Sequence, residues 1–301
     1  MNKKTKIWLI AAAFLVVLGV VLFAAGMAAQ NWDYGALETG KYRTETYEIH
    51  GTFQKISIDS TISDIVFELS EDGTCRLVCS GPAYIGFDAA AQENTLTVSE
   101  TDEREWYEHI GIFIGTPKMT LYLPEAEYDA LVIHEDTGDV SIPRDFRFKN
   151  MEIDASTGNI ANYASVSDTM KITASTGDIR VEGVSTGALE LSVSTGRVDV
   201  RDTMCGNLIS NGSTGDLTLD NVIVAEKLTV ERSTGDVGFD RCDAGEISVV
   251  TDTGDVRGSL CSEKVFLTRT DTGRVQIPQS VTGGVCRIET DTGDITISIS
   301  E

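Results

Sequence analysis

The stretch KITASTGDIRV, residues 171–181, contains the pattern that decides the fold. At its centre is STGD, Ser175–Asp178, with alternating apolar residues on both sides. The Thr-Gly pair returns throughout the second half of the chain, and its glycines are Gly138, Gly158, Gly177, Gly196, Gly215, Gly235, Gly254, Gly273 and Gly293. Consecutive glycines are 19 or 20 residues apart over all eight intervals. So constant a spacing is typical of a solenoid, in which each unit stacks on the next.

Each unit has the alternation of two β-strands that flank a turn. The positions seven residues before the glycine and two after it are apolar, as Met170 and Ile179 are around Gly177. A third apolar position, such as Val184, predicts a short third side. Because polar residues lie between the apolar ones and no unit has helical spacing, one face of each strand is predicted to be buried. The sequence therefore predicts an all-β fold, a parallel β-solenoid of about nine coils over residues 131–301.

The repeated glycine is predicted to form a corner between strands, because it adopts left-handed backbone conformations without a steric penalty. Threonine precedes the glycine in all nine copies, which predicts a stacked column of threonines along the rod. The Ser or Asp before the threonine and the Asp after the glycine are expected to cap backbone N–H groups in the corner.

The residue after the glycine forms a second predicted column. In chain order it reads Asp139, Asn159, Asp178, Arg197, Asp216, Asp236, Asp255, Arg274 and Asp294. The two arginines are expected to relieve repulsion between stacked carboxylates. Three successive acids are candidate calcium ligands, namely Asp216, Asp236 and Asp255. The glycine-rich motif of calcium-binding β-rolls is absent, so the alternative is that these aspartates only cap turns and solvate the rod.

The N-terminus predicts a membrane anchor. A basic tail, residues 1–6, precedes 23 uncharged residues, Ile7–Ala29, which are enough to span a bilayer as a helix. The lysines favour a cytoplasmic N-terminus and an extracytoplasmic remainder of the chain. A cleaved signal peptide and a secreted protein are the alternative. Residues 30–50 are polar and are predicted to form a stalk, and residues 51–130 keep strand alternation without the Thr-Gly turn, so they are predicted to start and cap the solenoid.

Two places are candidate contact sites. The segment TDEREWYEHIGIFIGTP, Thr101–Pro117, breaks the pattern and contains Trp106, Tyr107 and Phe113. Exposed aromatic side chains favour interfaces, whereas the alternative is that these rings cover the end of the core. The chain closes with the alternating strand DITISISE, for which no capping element follows. An unpaired strand edge there predicts end-to-end self-association or the docking of a partner.

Composition narrows the function classes. The net charge of −23 makes nucleic acid an improbable partner and favours cations or basic molecules. Six cysteines are too few for a disulfide scaffold, and Cys242 and Cys261 are predicted to be stacked neighbours with free, buried thiols. The sequence shows no catalytic grouping and no cofactor motif, so no enzyme is predicted. The alternative is a polysaccharide-active β-helix enzyme, which would use paired carboxylates but needs long loops that the regular coils do not offer.

The chain resembles the bacterial β-strand-repeat proteins known as putative adhesins, a family of unknown function. The resemblance rests on FQKISIDSTISDIVFEL at residues 53–69, on MTLYLP at residues 119–124 and on the serial STGD and DTGD turns. It covers roughly residues 45–301. It implies an exported, envelope-associated β-rod, and it carries over no functional residues. The anchor, the rod, the short regular turns and the lack of a catalytic grouping predict a non-enzymatic surface protein that contacts a protein or cell-wall partner or serves as a scaffold.

Overall fold

The computed structural model describes residues 3–29, 31–32, 42–102 and 115–300. Two units are described separately, the N-terminal helix and the β-domain that is built from residue 43 onward. The residues of the predicted aromatic contact site, Trp106, Tyr107 and Phe113, lie outside the described residues.

The N-terminal unit contains the helix α1, Lys3–Ala29. Its stretch Thr5–Ala29 has a mean hydropathy of 2.9 over its most apolar window and is long enough to cross a membrane. The predicted N-terminal apolar helix is thus confirmed. By length and composition it fits either a retained anchor or a signal sequence.

The β-domain consists of strands that join in one sheet. The strands are β1 (Tyr42–Ile49), β2 (Lys55–Ser60), β3 (Asp64–Leu69), β4 (Cys75–Pro82), β5 (Ile85–Gln92), β6 (Thr95–Asp102), β7 (Lys118–Leu123), β8 (Glu127–Thr137), β9 (Val140–Ile142), β10 (Arg147–Thr157), β11 (Ile160–Asn162), β12 (Ser165–Thr176), β13 (Ile179–Glu182), β14 (Ser185–Thr195), β15 (Val198–Thr214), β16 (Leu217–Thr234), β17 (Val237–Thr253), β18 (Val256–Leu260), β19 (Lys264–Thr272), β20 (Val275–Gln276), β21 (Gly284–Thr292) and β22 (Ile295–Ile299). The stalk predicted for residues 30–50 does not extend to its last residues, because these form the strand β1, which pairs with β4 of the β-domain.

The parallel β-solenoid is confirmed. Residues one repeat apart face each other on neighbouring strands, so that Met170 pairs with Met151 on one side and Leu189 on the other. All three side chains are buried. Because the same apolar positions recur in each coil, stacking joins them into one continuous core that no single coil provides.

The corner glycines are required by the close approach of neighbouring coils. Gly158 has a φ of +145°, and a Cβ atom built on it would lie 1.9 Å from the carbonyl oxygen of Gly138. Gly215 has a φ of +126°, and its Cβ would lie 2.0 Å from the carbonyl oxygen of Gly196. Any side chain at these positions would push the coils apart, so the glycine column fixes where the chain turns.

A second corner lies six residues after the glycine, where Gly183 has a φ of 71° and the next three coils use residues other than glycine. Asp202, Asn221 and Arg241 have φ values of 46°, 54° and 49°, in the left-handed region. Beyond this corner, the sequence position whose side chain points into the core differs from coil to coil. The predicted third apolar side therefore fails at Met204, which is 62% exposed, and at Val281, which is 91% exposed.

The last two coils are stacked in the reverse of their chain order. Strand β21 pairs with β17 on one side and with β19 on the other, and β18 pairs with β22. At the corner, the N–H of Gly254 donates to the carbonyl of Thr292, and the N–H of Gly293 donates to Thr272. The C-terminal strand β22 also pairs with β20 through Ile295. The expectation that DITISISE forms the bare edge is therefore wrong, and β19 and β20 form that edge.

The first coils are reversed in the same way. Strand β2 lies between β6 and β8, and β3 lies between β7 and β9. The outer coil, made of β6 and β7, carries the antiparallel strands β5 and β4 on its free side. Both the first and the last coil in sequence are consequently held between two neighbours, which protects them from fraying.

We expect Gly215→Ala to lower the free energy of unfolding by about 1–3 kcal/mol, because it forces a strained backbone and a close contact with Gly196. The matched control is Gly238→Ala, at which the nearest atom to the new Cβ lies 3.8 Å away. Chemical denaturation of both variants measures the difference. Equal stability of the two variants would contradict the account of the corner.

The reversed stacking predicts which cysteine pairs cross-link. Arg287 on β21 lies between Ser248 on β17 and Leu267 on β19, and it pairs with both of them. Ser248 and Leu267 are therefore two strands apart. In a Cys261→Ser background, a thiol reagent spanning about 5 Å should join Ser248→Cys to Arg287→Cys, since adjacent strands are about 4.8 Å apart. It should not join Ser248→Cys to Leu267→Cys. The opposite result, read by peptide mass, would restore simple chain order.

Candidate interaction surface

The Thr-Gly corner is held by backbone hydrogen bonds from coil to coil. The N–H of Gly158 donates to the carbonyl of Thr176 at 2.9 Å, and the N–H of Ile160 donates to the carbonyl of Asp178 at 2.9 Å. The same pair of bonds recurs at the later corners. The threonine therefore contributes its carbonyl oxygen to the stack, which continues the ladder of the sheet around the turn.

The aspartates after the glycine cap the next coil. Oδ1 of Asp216 accepts from the backbone N–H of Asp236 at 2.9 Å, and Oδ1 of Asp236 accepts from that of Asp255 at 2.8 Å. Oδ1 of Asp255 accepts in turn from the N–H of Asp294. The column order is thus corrected, because Asp294 and not Arg274 follows Asp255. Arg274 lies beyond, where its guanidinium pairs with Asp294 at 3.1 Å.

This geometry gives the three candidate calcium ligands a structural role. One oxygen of each carboxylate is committed to a backbone N–H, and a side chain without an acceptor would leave that N–H unpaired. In the part of the chain that the structure describes, no group of three or more His, Cys, Asp or Glu side chains is arranged to hold a metal ion. Calcium binding by Asp216, Asp236 and Asp255 stays a prediction.

We expect Asp236→Ala to destabilise the β-domain by about 1 kcal/mol, because the N–H of Asp255 loses its acceptor. Asp236→Asn is the matched variant, since Asn159 already makes the same bond to the N–H of Asp178 at 3.0 Å. Thermal unfolding should show loss of stability only in Asp236→Ala. A stabilising effect of calcium that disappears in Asp236→Asn would instead support a cation site in this column.

A shallow trough lies on the outer face of the sheet that precedes the corner. The largest of its three parts is a cavity of about 340 Å³ across β14 to β17. Two further cavities, of about 230 and 190 Å³, continue it towards β8 and share Ser192, Asn211 and Lys171 with their neighbours. We call this surface the outer trough and define it by Val132, Glu152, Lys171, Ser192, Ser194, Asn211, Ser213, Glu231, Ser233 and Asp252.

The outer trough presents hydroxyl, amide and carboxylate groups at the spacing of the strands. The serines of the STG repeat, Ser194, Ser213 and Ser233, line the cavity of about 340 Å³. Lys171 is paired with Glu152 of the preceding coil at 2.7 Å, so the one lysine of this set is charge-compensated. A row of polar groups about 4.8 Å apart suits an extended polar molecule that lies along the rod.

Two buried charges lie in the inward-facing position three residues before the corner glycine. Glu135 is 2% exposed and Arg232 is 3% exposed, whereas Ala155 and Val193 occupy this position in other coils. Sequence reasoning missed both residues, although an alignment of the repeats on their glycines would have shown a charge in an apolar column. Burial raises the pKa of Glu135 to about 7.

Arg232 occupies the space that Gly212 leaves empty in the adjacent coil. A Cβ atom on Gly212 would lie 1.6 Å from Nη1 of Arg232. Nη2 donates to Oγ of the buried Ser210 at 2.8 Å, and burial lowers the pKa of the guanidinium to about 10. The glycine and the arginine thus form a matched pair that holds two neighbouring coils in register.

The cysteines are free thiols. Cys242 is buried as predicted, and the N–H of Cys261 donates to its carbonyl at 2.8 Å. Cys261 itself is exposed, because the chain turns outward after β18, and the expectation of a buried thiol is wrong there.

A model of the Toastrack DUF4097 family matches residues 53–298. Among solved structures, the chain is similar to a putative adhesin from Bacteroides fragilis NCTC 9343, with 16% identity, a TM-score of 0.53 and coverage of 86% of this chain and 97% of that one. A putative adhesin from Parabacteroides merdae ATCC 43184 has 15% identity, a TM-score of 0.52 and coverage of 87% and 98%. At these identities the likeness concerns the fold. No curated protein matches the sequence significantly.

Proposed function

The chain belongs to the Toastrack DUF4097 family, and on that premise we propose that it is an anchored, non-enzymatic rod of the cell envelope. The helix α1 serves as the membrane anchor, with the β-domain outside the cytoplasm, and the outer trough makes non-covalent contacts with an extended protein or cell-wall partner. The observation that carries the proposal is the trough itself, a continuous surface across β8 to β17 on which polar side chains lie beside the apolar Val132, Ile209 and Val250. The structural neighbours with this fold, described as adhesins, agree with a surface role.

The test is site-specific photo-cross-linking of the full chain in intact cells. A photoreactive side chain in place of Ser213, inside the trough, should give adducts with protein or with cell wall. The matched position is Arg180, an exposed residue on β13 that lines none of these cavities. The mass of the recovered chain reports whether α1 is retained. Equal adducts at both positions, or none at Ser213, would refute the role of the trough.

We propose further that end-to-end self-association uses the edge made by β19 and β20. Among the described strands, this edge pairs on one side only, with β21 and β22, and it carries Leu267 and Val275 as exposed apolar side chains. The same edge of a second copy supplies hydrogen-bond partners for the backbone groups on the open side of β19 and β20. It also supplies apolar surface against which Leu267 and Val275 pack.

We expect the full chain in detergent to form dimers at high concentration and Leu267→Glu to remain monomeric, because the charge disfavours burial in the contact. Met204→Glu is the matched control, since Met204 is also an apolar exposed side chain, 62% exposed against 44% for Leu267, but lies away from this edge. Sedimentation velocity measures the association. Dimers of equal strength in both variants would place the contact elsewhere.

A further inference from the structure

A cluster of polar side chains lies at the first corner of the β-domain, where the Thr-Gly pair is missing. The corner between β2 and β3 reads Thr61, Ile62, Ser63, and it lies beside the DTG corner that ends at Gly138. Three adjacent coils contribute to the cluster, Glu100 from the end of β6, Ser60 and Ser63 around this corner, and Glu135 from β8. We call these four residues the first-corner cluster.

Glu100 caps the corner that lacks glycine. Its Oε2 accepts from Oγ of Ser60 at 2.9 Å, and its Oε1 accepts from the N–H of Ile62 at 3.3 Å. The N–H of Thr61 also points to it at 3.4 Å.

Glu135 is buried deeper and is only half satisfied. Its Oε1 accepts from the N–H of Thr137 at 3.1 Å, whereas its Oε2 is buried without a hydrogen-bond partner among the described residues. Oγ of Ser63, which is fully buried, likewise has no partner within that part of the chain. The Ser60 hydroxyl has a single hydrogen and donates it to Glu100, so it cannot also donate to an ionised Glu135. Two unpaired buried oxygens in one cluster are costly unless something binds between them.

The charges around Glu135 do not compensate it. Burial is the largest cause that raises its pKa, and the charged groups that act on it, Glu100 from β6 and Asp136 from its own strand, are both acids. A proton on Oε2 would remove the charge and would find an acceptor in the hydroxyl oxygen of Ser60, but it would compensate neither Glu100 nor Asp136. A cation satisfies carboxylate, hydroxyl and carbonyl oxygens together and also compensates the two acids.

We propose that the first-corner cluster is a divalent cation site in which Glu135 and Glu100 supply the charge and Ser60 and Ser63 supply neutral oxygens. Calcium fits this set best, because it accepts mixed carboxylate and neutral oxygen ligands in irregular geometry. The bound ion joins the two coils that precede the regular repeats to the first DTG coil. The site is distinct from the column of Asp216, Asp236 and Asp255, and it does not depend on the outer trough.

The test is calcium titration of the full chain in detergent micelles by calorimetry at pH 7.5, with magnesium as the second probe. The titration extends to about 10 mM, since extracellular calcium sites have dissociation constants of up to about 1 mM. We expect one ion per chain. Glu135→Gln should weaken binding at least tenfold, and Asp236→Asn is the matched control that should bind as the parent does.

Proton competition gives a second readout. Because Glu135 must release its proton to bind a metal, affinity should fall between pH 7.5 and pH 5.5. Glu135→Gln should show no such dependence. This variant is expected to fold, since it removes a buried charge, and its circular dichroism and melting temperature at pH 8 verify that it does.

Three results would overturn the proposal. The first is no saturable binding of either ion. The second is binding that survives in Glu135→Gln and is lost in Asp236→Asn, which would assign the ion to the aspartate column. The third is stability that falls as pH rises from about 4.5 to about 7 without any effect of calcium, which would make Glu135 a proton site only, because its folded-state pKa is raised.

Discussion

The approach of one backbone to the next at the Thr-Gly corner is the contact on which the β-domain depends. At Gly177 a Cβ atom would lie 1.9 Å from the carbonyl oxygen of Gly158, so the coils reach sheet spacing only because no side chain is there. That spacing brings the apolar rows of successive coils into contact and allows the ladder bonds to continue around the turn. A side chain at the corner would therefore disturb the core as well as the turn.

Each of the four residues of the STGD repeat has a different role at the corner. The serine faces outward and lines the outer trough, as Ser213 does. The threonine offers its carbonyl to the glycine N–H of the preceding coil, and the aspartate offers a carboxylate oxygen to the N–H after the next glycine. The structure thus explains three of the four positions, and in the function that we propose the serine is the position that contacts a partner.

The sequence was sufficient to predict the solenoid, its corner and its buried faces, because glycine and the period-two alternation each have a direct physical cause. The second corner was not predictable in this way, because its residue changes from coil to coil, from Gly183 to Asp202, Asn221 and Arg241, so no constant residue marks it. The buried Arg232 was missed because its partner is the empty space at Gly212, a feature of stacking and not of spacing.

The reversed order of the end coils escaped prediction because neighbouring repeats carry the same corner and can exchange places without altering the pattern. Two residues indicate the order in retrospect. Thr268 occupies an inward position in the coil that ends the stack, whereas Ile288 occupies it in the coil inside. Pro278 follows β20 in the end coil, where its missing N–H leaves no neighbour unpaired.

Hydrogen–deuterium exchange of the full chain, resolved to peptides by mass spectrometry, tests the central claim most directly. If corner stacking places β21 and β22 between two neighbours, the amides of residues 284–299 exchange more slowly than those of residues 264–276, although they lie nearer the chain end. Protection that declines steadily towards the C-terminus would contradict the account, because it would show that the coils stack in chain order and that the last strand is the open edge.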